Sequence, residues 1–327
     1  MSGVQNIEVT GADDGMRLDR WFRQHYPQIR HGELQKLLRK GQVRVDGGRV
    51  KADRRLTSGE TVRVPPVEDA QPVQRRGVSE QDARFIRDLV IYEDDSVIAL
   101  NKPFGIAVQG GAKTLRHIDG MLDALTAPGG ERPRLVHRLD RETSGIILVA
   151  KTRKAAQELT KAFRHRNTRK IYWALVKGVP KPKQGRISTW LAKEDTPDGD
   201  RMRVTRQGKD DASHAVSLYS VVDNAGQQLA WLSMRPVTGR THQLRAHAAH
   251  IGHPIVGDPK YFDVEDWQFP GGIQNKLHLH ARRIVIPHPA GGKLDVTAPL
   301  PPHMQQSWNL LGFDIEAGSE QSEQEDA

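Results

Sequence analysis

The sequence predicts an α+β chain: a small basic module of helices and short strands, then a tether, then a larger domain built on a central sheet. Three observations predict it. Strand-like runs (VIAL, GIILVAK, KIYWALVKG, LAWLSMRPV) are mixed with a helical run, RKAAQELTKAFRHR, over most of the chain, and elements mixed in this way suggest α+β packing. A compact stretch rich in Lys and Arg stands ahead of them. A polar stretch with no hydrophobic period separates the two.

The basic module is expected over residues 15–66. From Arg17 to Pro66 there are 13 Lys/Arg against 5 Asp/Glu. LDRWFRQHY and HGELQKLLRKG have apolar residues at helical spacing (Leu18, Trp21 and Phe22; Leu34, Leu37 and Leu38), and Gly41 stops the second helix. QVRVDGGRV reads as a hairpin, with Val43 and Val45 before an Asp46-Gly47-Gly48 turn and Val50 after it. ETVRVPP adds a last strand. Residues 67–82 read as the tether and residues 83–312 as the main domain. Residues 313–327, ending in GSEQSEQEDA, are expected to be an acidic disordered tail.

Composition narrows the function. The chain has 327 residues, 37% hydrophobic and 27% charged, which suits a globular chain with a workable core. No apolar run reaches the length of a bilayer span, and the start lacks the pattern of a secretory signal, so a cytoplasmic chain without a membrane partner is expected. Cysteine is absent, which excludes disulfides, thiolate nucleophiles and cysteine-zinc sites. The net charge is +9, yet the last fourteen residues hold six acids and no Lys or Arg, leaving the body at +15. A body this basic points to a polyanionic partner.

The densest chemistry lies in LVHRLDRETSGIILVAK, residues Leu135 to Lys151. Asp140 sits between Arg138 and Arg141, just ahead of an apolar strand. Neighbouring positive charge favours the carboxylate form, which can serve as nucleophile or base. Taken alone, RLDR reads better as a surface aspartate in a local ion pair.

It does not stand alone. HRLDRETSG resembles the signature motif of the ribosomal large-subunit pseudouridine synthases, the RluA family. Three further stretches resemble that family's motifs, in its order: VIYEDDSVIALNKPFGIAVQGG (Val90 to Gly111), RKIYWALVKG (Arg169 to Gly178) and PVTGRTHQLRAHAAHIGHPIVGDPKYF (Pro236 to Phe262). Residues 15–66 resemble the S4 RNA-binding domain. Gly110-Gly111, together with the S4-like start, is most similar to the C-type branch. Gln109, where a histidine is expected, departs from that branch.

The resemblance implies a catalytic domain with a mainly antiparallel mixed sheet and an isomerase that needs no cofactor and no metal. It would break the bond from N1 of uracil to the ribose, turn the base, and rejoin it through C5. Asp140 would be the catalytic carboxylate. Attack on the base, attack on the ribose and removal of a ribose proton are all open to it. Tyr172 would stack on the uracil and help remove the C5 proton; Arg245 would pair with Asp140; Leu279 would form pocket wall. Arg138 would fill the gap left by an everted nucleotide, with Arg141, Arg240 and His242 also meeting RNA. On the S4-like module, Arg30, Lys36, Arg39, Lys40 and Arg44 would hold phosphates. The expected partner of a monomeric chain is 23S ribosomal RNA or a large-subunit precursor, near the peptidyl transferase centre.

Rival readings fare worse. His242, His247, His250 and His253 cluster, and His137 adjoins Asp140, but no His-Glu-x-x-His is present for a metal hydrolase. A nucleobase deaminase lacks its cysteines. Asp140 and Glu142 are too close in sequence to suggest a glycosidase pair. Phosphate-loop, dinucleotide and nucleophile-elbow patterns are missing. The runner-up is a catalytically inactive S4-domain assembly factor that binds ribosomal RNA.

Overall fold

The computed structural model describes residues 3–29, 31–66, 78–111, 114–165, 167–196, 201–209, 211–262 and 271–318. The chain divides into two compact units, Met1–Gly77 and Val78–Ala327.

In the first unit, β1 (Gln5–Glu8) is followed by helices α1 (Leu18–His25) and α2 (His31–Arg39), then β2 (Arg44–Val45) and β3 (Thr61–Val64). The strands form an antiparallel sheet in the order β1-β3-β2. Leu18, Trp21 and Phe22 of α1 and Leu34 and Leu38 of α2 are buried with Val43, Val45, Val62 and Val64, so the apolar spacing read from the sequence does drive the packing. Two expectations change. The hairpin does not continue to Val50. Asp46 (φ 46°) and Gly47 (φ 75°) turn the chain, only Val45 and Gly48 exchange hydrogen bonds, and β2 pairs with β3 instead. The module also begins before residue 15. β1 has no apolar alternation to announce it and is held by its pairing with β3.

The second unit opens where the end of the tether was expected. Ser79 caps α3 (Glu80–Asp88), its hydroxyl accepting from the Asp82 amide. The rest of the expected tether, residues 67–77, lies outside the described residues. Next come β4 (Val90–Glu93), β5 (Val97–Lys102), α4 (Ile118–Met121), β6 (Arg134–Leu135), β7 (Ser144–Ala150), α5 (Arg153–Arg164), β8 (Arg169–Lys177), β9 (Gln184–Glu194), β10 (Arg201–Thr205), β11 (Ser213–Ala225), β12 (Leu229–Pro236), α6 (Gln243–His250), β13 (Leu279–Pro287), β14 (Lys293–Thr297) and α7 (Pro302–Leu311). They build an 11-stranded sheet in the order β10-β9-β11-β12-β8-β13-β7-β5-β4, with β14 on β13 and β6 on β7. Among the described residues every pairing is antiparallel except β13 with β7, so the mainly antiparallel mixed sheet stands as expected.

β7 is buried along its whole length, as IILVA suggests. α5 packs Ala155, Leu159 and Ala162 against the sheet. A cluster of Trp173, Trp231, Trp308 and Phe313 fills one side. Phe313 is 7% exposed, so the tail expected from residue 313 begins as core. Large apolar rings outweigh the acidic composition there. Residues 319–327 lie outside the described residues. No helix among the described residues is long and apolar enough to cross a membrane.

Candidate active site

Asp140 lies in the loop between β6 and β7, where the sheet switches to its parallel pairing. Gly145 makes that pairing possible. Its φ is +108°, and a Cβ there would stand 2.3 Å from the Ala281 carbonyl oxygen, so β7 can lie against β13 only with a bare backbone at this point. Two further contacts fix the loop. His137 Nε2 accepts from the Leu148 amide at 2.8 Å; burial pulls its pKa down to about 3, leaving a neutral acceptor. Lys102 is fully buried, and its ammonium donates to the carbonyls of Pro103, Ile106 and Arg141 at 3.0, 2.9 and 3.0 Å. Burial lowers its pKa to about 7 against the opposing charges of Glu142 and Asp140.

A cleft of about 640 Å³ opens beside Asp140, within the range of sites for small ligands. Arg138, Tyr172, Arg240, His242, Arg245 and Leu279 all line it. Tyr172 on β8 and Leu279 at the start of β13 share a face, since Tyr172 pairs with Ala281 and Ala174 with Leu279. Burial, and then the charge of Asp140, raise the Tyr172 pKa well above the usual phenol range. At neutral pH the side chain is therefore a neutral phenol.

Arg245 forms the expected ion pair with Asp140, Nη1 to Oδ2 at 3.8 Å, but its closer partner is Asp258. Arg245 is fully buried, and its Nε and Nη2 donate to the two carboxylate oxygens of Asp258, each at 2.7 Å. A buried guanidinium needs a two-pronged partner. Asp258, also buried, supplies it and is itself held by the amides of Lys260 and Tyr261 at 2.9 and 3.3 Å. Only Nη1 faces Asp140, at 3.8 Å, and Glu142, at 3.9 Å. It is buried with no hydrogen-bond partner. Burial works against the Arg245 charge, but Asp258, then Asp140 and Glu142, outweigh it and hold the pKa above its usual value.

His242 precedes α6 in a left-handed conformation, φ 49° and ψ 19°, which is uncommon outside glycine. Its Nε2 lies 3.9 Å from Asp140 and its Nδ1 3.3 Å from the Tyr261 hydroxyl. Burial lowers its pKa, with Asp140 opposing. Tyr261 also accepts from the Met202 amide at 2.7 Å and donates to the Met202 carbonyl at 2.9 Å. Arg138 and Arg240 are exposed at the rim, Arg240 Nε donating to the His214 carbonyl at 3.2 Å. Arg141, expected to meet RNA, is not in the cleft wall; it is exposed, and its Nε donates to the Gly105 carbonyl at 2.9 Å. The histidine cluster does not converge: His247 lies between Thr189 and Ser217 hydroxyls at 3.0 and 2.9 Å, and His253 donates to the Lys177 carbonyl at 2.8 Å.

On the first unit, Lys36, Arg39 and Lys40 are exposed. Arg44 instead donates to the Gly41 and Gly47 carbonyls, each at 3.1 Å, which ties it to the turns around β2. Arg30 lies outside the described residues.

Lys102, Asp258 and Tyr261 are the site residues that sequence reasoning missed. The one available signal was a lysine between an apolar strand and a proline in ALNKPFG; nothing local marks Asp258 or Tyr261.

One carboxylate in a cleft lined by arginines marks a site for a polyanionic substrate. The comparisons give that class its chemistry. A family model described as RNA pseudouridylate synthase matches residues 96–250. Ribosomal large subunit pseudouridine synthase C of Vibrio cholerae is 38% identical over 315 residues, covering 93% of this chain and 96% of that one. Its namesake from Escherichia coli is 35% identical over 306 residues, covering 91% and 93%. The solved human RNA Pseudouridylate Synthase Domain Containing 4 is 28% identical with a TM-score of 0.60, covering 72% of this chain and 98% of that one. The chain belongs to the RNA pseudouridine synthase family.

Proposed function

We propose that this chain isomerises uridines of 23S ribosomal RNA, or of its precursor, to pseudouridine, with Asp140 as the catalytic carboxylate. The observation that carries the reading is the placing of Asp140 in a cationic cleft, with Tyr172 in the same wall and Arg245 Nη1 at 3.8 Å. The similarity to the C-type synthases supports the substrate assignment.

In this reading an everted uridine enters the cleft and its uracil lies between Tyr172 and Leu279. Asp140 acts at the ribose or the base while the bond from N1 breaks. The freed uracil turns against the Tyr172 face and rejoins through C5; the C5 proton then leaves to water and N1 takes up one proton in exchange. No atom is gained or lost, and the fixed charges around Asp140 need no rearrangement as bonding changes. Arg138, at the rim, takes the space the nucleotide leaves, and Arg240 and His242 hold its flanks.

Residues 15–66, with β1, serve as an S4-like RNA-binding module through Lys36, Arg39 and Lys40. The chain works as a cytoplasmic monomer. Deleting this module should weaken RNA binding and flatten its dependence on salt. The test of the function is a pseudouridine map of ribosomal RNA from cells with and without the gene. Loss of one or more 23S sites is expected. An unchanged map would overturn the substrate assignment.

A further inference from the structure

The cleft wall continues beyond Asp140 and Tyr172 to Thr160 and Arg164 of α5 and to Thr168 and Lys170 at the start of β8. Lys170 and Tyr172 are two apart on one strand, so they project to the same face, roughly 7 Å apart along it. Lys170 is half-buried, and burial lowers its pKa. Its charge helps to keep the neighbouring His137 neutral. Among the described residues it has no hydrogen-bond or carboxylate partner. A half-buried ammonium with no protein partner is left to present its three donors to the cleft. The Thr168 hydroxyl, in the same wall, is buried with no partner either.

Gly239 supplies an independent observation. Its φ lies outside the left-handed region, so the backbone does not require glycine. A Cβ there would meet nothing within 4 Å except the Lys170 ammonium, at 3.9 Å. Packing therefore does not require glycine. What glycine does is leave open the space in front of Lys170 and let a ligand approach the bare backbone. Asp140 is the sole carboxylate among the described residues lining the cleft, against Arg138, Arg164, Lys170, Arg240 and Arg245. A ligand that meets Lys170 here is therefore an anion.

We propose that Lys170, the Thr168 hydroxyl and the bare backbone of Gly239 form a phosphate subsite. It holds one phosphodiester of the RNA strand next to the uridine presented to Asp140. This rests on the uridine-isomerising reading above and deepens it. The subsite fixes the strand one nucleotide's reach from the Tyr172 face, so the everted base enters at a set depth. Lys170 is here a substrate-binding residue.

The test uses the full chain and a short RNA stem-loop that the wild-type protein converts. Each phosphate flanking the target uridine is replaced in turn by a neutral methylphosphonate. The ribose at that link is 2′-O-methylated for chemical stability, with the 2′-O-methyl RNA alone as control. One position should raise KM about tenfold, the loss of a single charge-assisted hydrogen bond, with kcat much less changed. Lys170→Gln on the unmodified RNA should raise KM by a similar factor and flatten the plot of log affinity against log salt by about 0.7–0.9. On the methylphosphonate RNA, Lys170→Gln should cost nothing further. Gly239→Val should reproduce the KM defect, and Lys170→Arg should restore most of the affinity.

The subsite is overturned if the wild-type protein tolerates methylphosphonate at every flanking position to within twofold, or if the losses from Lys170→Gln and methylphosphonate multiply. The wild-type scan decides the matter even if a variant fails to fold. Failure of the wild-type protein to make pseudouridine in any ribosomal RNA would instead overturn the parent reading.

Discussion

Replacing Asp258 by alanine should destabilise the larger unit by about 3–5 kcal/mol, the usual cost of stranding one member of a buried ion pair. The structure places this variant at the upper end of that range. Arg245 and Asp258 are 0% and 1% exposed, both hydrogen bonds between them are 2.7 Å, and Nη1 already lacks a partner. The guanidinium would keep only Asp140 and Glu142, at 3.8 and 3.9 Å. Against a typical total stability of about 5–15 kcal/mol the loss is large, and the melting temperature should fall by roughly 10 °C. Urea unfolding followed by tryptophan fluorescence measures it, since Trp173, Trp231 and Trp308 are buried in this unit. The double variant Asp258→Ala with Arg245→Met should regain much of the loss, because the stranded charge is gone. A single-variant loss below about 1 kcal/mol would refute the view that Asp258 is the main partner of Arg245.

Two further predictions test the frame. Gly145→Ala should cost about 3 kcal/mol or more, combining backbone strain with a clash against the Ala281 backbone, and should lower the soluble yield; a variant as stable as wild type would contradict the close approach of β7 to β13. The stability of the chain should also fall with acid. His278 and His280 are buried with pKa values of about 3 and His247 with about 4, all below the unfolded value. Folded-state pKa values depressed in this way leave the unfolded chain binding more protons. Their contribution is therefore complete above about pH 6.5 and is lost as pH falls from there toward 4 and 3, roughly 2 kcal/mol per histidine by pH 5. Unfolding free energies that stay level between pH 7 and pH 5 would contradict it.

The parts of this molecule that were legible in its sequence are those where local pattern and tertiary role agree. α5 shows its buried face through the spacing of Ala155, Leu159 and Ala162. β7 and β8 are apolar because they are central strands. Asp140, Tyr172, Arg245, Arg240 and His242 were each named from motifs, and the fold brings all five to one cleft. The closer partner of Arg245 was not legible. Asp258 sits in Gly-Asp-Pro, which reads as a turn, and only the three-dimensional path of the chain after α6 turns its carboxylate back onto the helix. The carbonyl contacts of Arg141 and Arg44 were hidden for a related reason. A cationic side chain in a basic motif looks the same whether it meets a phosphate or a backbone carbonyl, and here both donate to carbonyls. β1 has one inward apolar residue, Ile7, and exists because β3 offers it an open edge.

The most direct test of the whole account is turnover by Asp140→Ala on 23S ribosomal RNA labelled with tritium at C5 of uracil, read as tritium released to water. Wild-type protein should release the label. The variant should release none above background while binding the RNA within a few-fold of wild type. Sustained release by the variant would show that the carboxylate at position 140 is not the one that does the chemistry.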